Sequence, residues 1–283
     1  MELPPSSAGG RTDVTSGALL DAHAHVIGDR DSYPLWAGRT YEPPDAPLDA
    51  YLSLLNEIGL THGVLVQPSV YGFDNRCMLD ALDAADGRLF GIAVPEPRTA
   101  ARELESMHRR GVRGVRCNLL SSGGGLAFET VIGWRPALRD LGWHVELHVA
   151  LETAAGLRPW LERFEVPVVI DHMGRPGPDE VDPANPRMRR LIGLVREGAC
   201  FVKLSAPYRL SGTSPPWPDV TPLARALLAA RPEVCLWATD WPHTDTPARV
   251  RTVDLIDALA DWCPAADDRR ALLGRAARLF GLD

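Results

Sequence analysis

The stretch "LLDAHAHVIG", residues 19–28, sets two histidines one residue apart at the end of an apolar run, with an aspartate two positions earlier. In a strand, residues i, i+2 and i+4 share a face. Asp21, His23 and His25 are therefore expected to point the same way. Polar groups on a buried face need partners. Taken alone, the pattern also fits a strand end whose histidines bond to nearby carbonyls. The rest of the chain has to choose between the two readings.

Seven more short, β-rich runs follow: 63–69, 88–97, 111–120, 143–150, 166–174, 200–208 and 234–243. Between them lie stretches with helical spacing at 48–60, 75–86, 99–111, 133–142, 154–164, 186–198, 221–232 and 252–263, and a last one at 265–280. Many end on glycine or turn residues. Eight strands alternating with helices predict an α/β fold, a single-domain parallel (β/α)8 TIM barrel. A doubly wound sheet is the alternative, but no GxGxxG follows the first strand. The GGG at 123–125 reads as a loop, and the Pro-rich segment 211–220 is long enough to cover a barrel mouth.

The 283 residues suit one such barrel, with 45% hydrophobic and 24% charged residues as in a soluble globular protein. Residues 1–17 read as a flexible tail of small and polar residues without signal-peptide order, and 18–283 as the barrel domain. No apolar run approaches the roughly 18 residues of a membrane span. Five scattered cysteines without CxxC spacing fit reduced thiols in the cytoplasm. A net charge of −7 argues against nucleic acid or an anionic membrane as partner. Of the 30 basic residues only one is lysine, Lys203. A chain that uses arginine nearly everywhere and keeps one lysine is a candidate for needing an ammonium there.

Active sites of barrels sit at the C-terminal ends of the strands. Inward parity at that end gives Asp21, His23 and His25 on the first strand, Gln67 and Ser69 on the second, and Arg116 and Asn118 on the fourth. Glu146 and His148 follow on the fifth, His172 on the sixth, Lys203 and Ser205 on the seventh, and Asp240 on the eighth. A packed core layer would be built from Val, Ile and Leu. This ring is polar, and four of the eight histidines fall in it. Glu146 and Lys203 lie deeper, where pairing with each other or with Asp21 and Arg116 competes with direct chemistry.

An HxH on the first strand, histidines on the fifth and sixth and an aspartate on the eighth resemble the amidohydrolase superfamily. Within it, DAHAHVIG, RTYEPPDAP, GVRCN, VVIDHMGRP, LSAPYRLS and ATDWPH are most similar to the amidohydrolase-2 lactonases, the group of 2-pyrone-4,6-dicarboxylate lactonases and sugar-lactone hydrolases. The likeness spans roughly residues 18–282. It implies hydrolysis of a cyclic ester on a small anionic substrate. By that resemblance His23, His25 and His172 bond the lactone carbonyl, and Asp240 takes the proton of the attacking water. Tyr41, Ser69, Arg116, Arg175 and Arg209 match the substrate contacts, the arginines as carboxylate clamps.

Two departures stand out. His148 occupies a position where the pyrone enzymes carry tyrosine, and Ser121 and Ser122 replace a basic pair, so one carboxylate clamp is missing. His148 also restores a metal pattern, in which His23, His25, His148 and Asp240 would hold one divalent Zn or Mn. Metal-free and mononuclear readings both stay open, with His148 a substrate contact in the first and a ligand in the second. A metal-dependent decarboxylase of the same superfamily, acting on an aromatic or muconate-type acid, is the alternative function. Helices around a barrel also leave faces for a homo-oligomer, and the sequence selects none.

Overall fold

The computed structural model describes residues 17–120, 125–246 and 250–282. Residues 1–16 of the expected tail 1–17, Ser121, Ser122 and the first two residues of the GGG loop lie outside the described residues. Eight strands form one parallel sheet in chain order: β1 (Leu20–Ala24), β2 (His62–Val66), β3 (Leu89–Ala93), β4 (Val112–Asn118), β5 (His144–His148), β6 (Val168–Ile170), β7 (Phe201–Leu204) and β8 (Cys235–Trp237). The helices between them are α1 (Leu48–Glu57), α2 (Arg76–Ala84), α3 (Ala101–Arg109), α4 (Phe128–Asp140), α5 (Leu151–Ala155), α6 (Arg158–Phe164), α7 (Pro186–Glu197), α8 (Thr221–Ala230), α9 (Thr252–Trp262) and α10 (Ala266–Leu279). This is the TIM barrel that the alternation predicts.

Local chemistry sets the element ends. The Asn185 side chain accepts from Arg187 N at 2.8 Å to start α7, Pro186 takes the first helical position, and Gly198 stops the helix at φ 72°. The single helix expected over 154–164 is two, α5 and α6. Pro159 cannot donate to a carbonyl four residues back and suits only a helix start, so the chain breaks at Gly156 and restarts. Every expected strand is present but shorter at its C-terminal end. The polar residues there leave the ladder and form the loops of the mouth.

Alternation divides the core. Val64, Val66, Phe90, Ile92, Val169, Leu236 and Ala238 fill the lower barrel interior, and Phe280 at the end of α10 closes the bottom, 5.3 Å from the Phe90 ring. Leu65, Val115, Val145, Leu147, Ile170, Val202 and Leu204 face outward into the layer beneath the helices.

Closure occurs at the upper end, where Asp240 N donates to His23 O at 2.9 Å and His25 N to Trp241 O at 2.7 Å. Asp21 stitches this seam. It accepts from Thr239 N at 2.8 Å, the Thr239 hydroxyl at 2.5 Å and the Tyr51 hydroxyl at 3.1 Å. Burial pushes its carboxyl up to about 6.

The expectation that Asp21 shares the inward face of His23 is thereby corrected. A register irregularity between Asp21 and Ala24 resets the parity, so Leu20 and Ala22 face in beside His23 while Asp21 faces Tyr51 of α1. Gln67 is corrected too. It follows the outward-facing Leu65, and its amide donates to Asp74 O at 2.8 Å in the loop after β2.

Asp21→Ala should leave four donors, Thr239 N, the Thr239 and Tyr51 hydroxyls and His23 N, without this acceptor, at about 1–3 kcal/mol each. Chemical denaturation should therefore show a loss of at least about 3 kcal/mol. A loss within experimental scatter would mean that the seam does not depend on this carboxylate.

Candidate active site

Above the apolar floor the barrel interior turns charged. Lys203 on β7 ion-pairs with Glu146 Oε1 on β5 at 2.6 Å and with Asp171 Oδ1 after β6 at 3.3 Å. Its ammonium also lies 3.0 Å from His23 Nδ1. Arg116 on β4 reaches Asp171 Oδ2 from Nη2 at 3.1 Å and from Nε at 3.2 Å. His144 sits 3.5 Å from Glu146 and edge-on to Phe280, which makes it a core residue. These charges are buried and mutually compensated, the condition under which ionised groups survive inside a fold.

One layer higher stands Asp240. Its Oδ2 accepts from the Tyr208 hydroxyl at 2.5 Å and from Arg209 Nε at 3.2 Å. Its Oδ1 has no hydrogen-bond partner among the described residues and faces three histidines. The distances are 3.5 Å to His25 Nε2, 3.6 Å to His23 Nε2 and 3.9 Å to His172 Nε2. His25 Nδ1 donates to Val66 O at 2.7 Å, and His172 Nδ1 pairs with Ser205 Oγ at 2.8 Å. Each ring is thus held from behind while its Nε2 looks at one carboxylate oxygen.

This convergence needs unusual backbone. His172, Met173 and Arg175 take left-handed conformations (φ 49°, 53° and 52°), as do Ala206 (50°) and Asp240 (57°). Such geometry costs a non-glycine residue about 1–2 kcal/mol, and outliers of this kind gather at functional sites. Here the turn after β6 points both Asp171 and His172 inward and brings Arg175 back over the mouth. Gly174 in the same turn has φ 76°, and a Cβ there would lie 2.6 Å from Leu191.

The cavity above Asp240 is lined by His25, Tyr41, Ser69, Arg116, Asn118, His148, His172, Arg175 and Arg209, among others. The six residues expected as substrate contacts, Tyr41, Ser69, Arg116, His148, Arg175 and Arg209, therefore line one cavity. Tyr41 lines the cavity together with Ser69 and Thr244, and Arg175 Nη1 donates to His148 Nε2 at 3.3 Å. Arg209 also donates from Nη2 to Thr244 O.

Burial would push the Asp240 carboxyl up, but His172 and the Arg209 guanidinium outweigh it and hold the carboxyl well below the usual carboxylate range. Burial also keeps the His172 ring well below its ordinary value. That ring is neutral, so the permanent charge of Arg209 is the cause that stands. Burial, then Arg116, hold His148 low as well, and burial, then Arg209, lower Arg175, which has no ion pair within 4.0 Å among the described residues.

By distance, His23, His172 and Asp240 offer a set of donor atoms for one divalent ion, and His23, Glu146 and Asp171 a second. The second set already encloses the Lys203 ammonium. The four ligands expected from the sequence do not fit as a group. His148 turns its Nε2 to Arg175, and Lys203 and Arg209 stand beside His23 and Asp240. A cation beside three of the four, His148, His23 and Asp240, suits a developing anion better than a bound metal.

Sequence reading missed two residues of this centre. Asp171 follows the inward Val169 by two positions, so parity was the available signal, hidden by the adjacent His172. Tyr208 lies in the quoted LSAPYRLS but outside any strand, where no parity applies. His243, just past the strand-8 end, packs edge-on against Tyr208.

Known proteins share this architecture. The amidohydrolase family model matches residues 20–282. A 4-sulfomuconolactone hydrolase of Hydrogenophaga intermedia is 35% identical over 271 residues, covering 92% of this chain and 88% of that protein. A 2-pyrone-4,6-dicarboxylate hydrolase of Comamonas testosteroni is 30% identical over 280 residues, covering 92% and 88%. The crystal structure of a probable 2-pyrone-4,6-dicarboxylic acid hydrolase from Acinetobacter baumannii, with citric acid bound, superposes with a TM-score of 0.81 at 30% identity over 93% of this chain and 99% of that one. With its barrel, its histidines and its strand-8 aspartate in these positions, the chain belongs to the amidohydrolase family.

Proposed function

We propose that the protein is a lactone hydrolase, opening the ring ester of a small anionic substrate with water. The observation that carries this is the free Oδ1 of an ionised Asp240, facing three histidine Nε2 atoms beneath a cavity rimmed by arginines. Relatives that hydrolyse a sulfomuconolactone and a pyrone dicarboxylate, by their names, support an anionic cyclic ester.

Arg175, Arg209, Tyr41 and Ser69 hold the substrate's anionic groups over the centre. Arg116 spends two donors on Asp171, so it contributes mainly field. A water between Asp240 and His25 donates its hydrogens to Asp240 Oδ1 and His25 Nε2. His25 is an acceptor there because its Nδ1–H is committed to Val66 O. The expectation that His25 bonds the lactone carbonyl as a donor is revised accordingly. His23 and His172 line the position of the carbonyl oxygen and stabilise its developing charge. As the water oxygen adds to the carbonyl carbon, Asp240 takes the proton. When the tetrahedral intermediate collapses, the ring C–O bond breaks and Asp240 returns the proton to the leaving oxygen. The products are one carboxylate and one hydroxyl or enol on the same molecule.

Among the described residues no helix is long and apolar enough to cross a membrane. We further propose residues 18–283 as one catalytic domain in the cytoplasm, with no metal needed for turnover.

A panel of anionic lactones with product analysis tests this reading. Ring opening without CO₂ release is expected, whereas CO₂ would support the decarboxylase alternative. Asp240→Asn should lower kcat by about 100-fold or more with the melting profile retained, and near-normal turnover would remove Asp240 as the base. Chelator treatment should leave the rate unchanged, and a rate lost to chelation and restored by zinc would establish a metal mechanism.

The pH profile gives a separate check. A carboxylate held low loses its base form only as pH falls through that low value, so the acid limb should lie below the ordinary carboxylate value of about 4. Arg209→Met removes the opposing charge and should move the limb toward neutral pH. A limb that stays in place would mean that Arg209 does not hold Asp240 ionised.

A further inference from the structure

The mechanism asks two neighbouring histidines on one strand to do opposite things, His23 to donate and His25 to accept. The structure contains the device that separates them. His25 Nδ1 meets a carbonyl, Val66 O, at 2.7 Å. A carbonyl only accepts, so the hydrogen is on Nδ1, and in the neutral ring Nε2 carries the lone pair. His23 Nδ1 instead meets the Lys203 ammonium at 3.0 Å. An ammonium has three hydrogens and no lone pair, so here Nδ1 is the acceptor.

A hydrogen on Nδ1 would point at an ammonium that has only hydrogens to offer, so a doubly protonated ring does not fit this contact and the ring is neutral. A neutral imidazole has one hydrogen. With Nδ1 accepting, that hydrogen is on Nε2, the atom 3.6 Å from Asp240 Oδ1 and otherwise without a hydrogen-bond partner among the described residues. The competing acceptor for an Nδ1 hydrogen is Asp171 Oδ1, but it lies farther away, at 3.5 Å, and is itself paired with Lys203 at 3.3 Å. Glu146 at 2.6 Å and Asp171 together anchor the ammonium in place, and Lys203 is buried.

We propose that Lys203 is a positioning residue that, through Nδ1 of His23, holds that ring in the Nε2–H tautomer and so sets the polarity of the site. This also explains why a chain with 29 arginines keeps one lysine. The site takes a compact charge on a slender stem, which a planar guanidinium replaces only in part. The tautomer stands on geometry alone. Only its kinetic consequence rests on the lactone-hydrolase reading.

The decisive experiment is long-range ¹H–¹⁵N NMR on the full-length protein with labelled histidine, His23→Gln and His25→Gln serving for assignment. The expected result is a protonated Nε2 and a bare Nδ1 for His23, and the reverse for His25. A protonated Nδ1 on His23 overturns the proposal. In Lys203→Met the His23 signals should leave the Nε2–H pattern, and kcat should fall about 100-fold, the cost of one misaligned oxyanion donor. KM should stay within a few-fold, and Lys203→Arg should restore part of kcat. A folded Lys203→Met that keeps both the tautomer and kcat also overturns it. If that variant does not fold, the wild-type spectrum still decides. If the spectrum is as expected but no lactone is opened by the wild-type protein, the functional reading fails while the role of Lys203 stands.

Discussion

The seam between β8 and β1 is the constraint on which the rest of the molecule depends. A parallel barrel of eight strands closes once, and here it closes through the backbones of the reacting residues themselves. Asp240 N bonds His23 O, and His25 N bonds Trp241 O. The spacing between the carboxylate and the two histidines is therefore set by main-chain geometry rather than by side-chain rotamers. Asp21, one layer down and on the outer face, ties the same two strands with both carboxylate oxygens. The left-handed backbone of Asp240 is the local cost of turning its side chain inward at the point where the strand must also pair.

Charge compensation is the second requirement. Glu146, Lys203, Asp171 and Arg116 form a chain of alternating sign across the barrel, from β5 through β7 and β6 to β4. Each ionised group has an opposite charge within hydrogen-bonding range, so a polar layer is tolerated where packed aliphatic residues would ordinarily lie. Asp240 is balanced by Arg209 on one oxygen only. Its other oxygen and the His23 Nε2 beside it have no hydrogen-bond partner among the described residues. Those unsatisfied atoms are where a substrate can be recognised, because a group that completes them gains hydrogen bonds that the empty site lacks.

Much of this was legible from the residues. Strand and helix alternation led to the barrel, and the HxH, the strand-5 and strand-6 histidines and the strand-8 aspartate led to the centre. Tyr41, Ser69, Arg116, Arg175 and Arg209, marked by the family resemblance, do line one cavity. Failures came where period-two reasoning stops applying. The irregularity in β1 turned Asp21 outward, and the left-handed turn after β6 let two consecutive residues, Asp171 and His172, face the same way. Gln67 sits past the end of β2, where the loop rather than the pleat directs it.

The sequence by itself determined the fold class, the polar end of the barrel and most of the residues that stand there. Hydrophobic period and residue type are local properties, and both are written along the chain. Only the tertiary structure decided which oxygen of Asp240 is free, which nitrogen of each histidine faces it, and where Lys203 sits. Those facts depend on contacts such as Lys203 with His23, 180 residues apart, and on loop backbone that no periodicity encodes. Hydrogen-bond direction follows from which partner stands behind each ring, so it exists only once the barrel has closed.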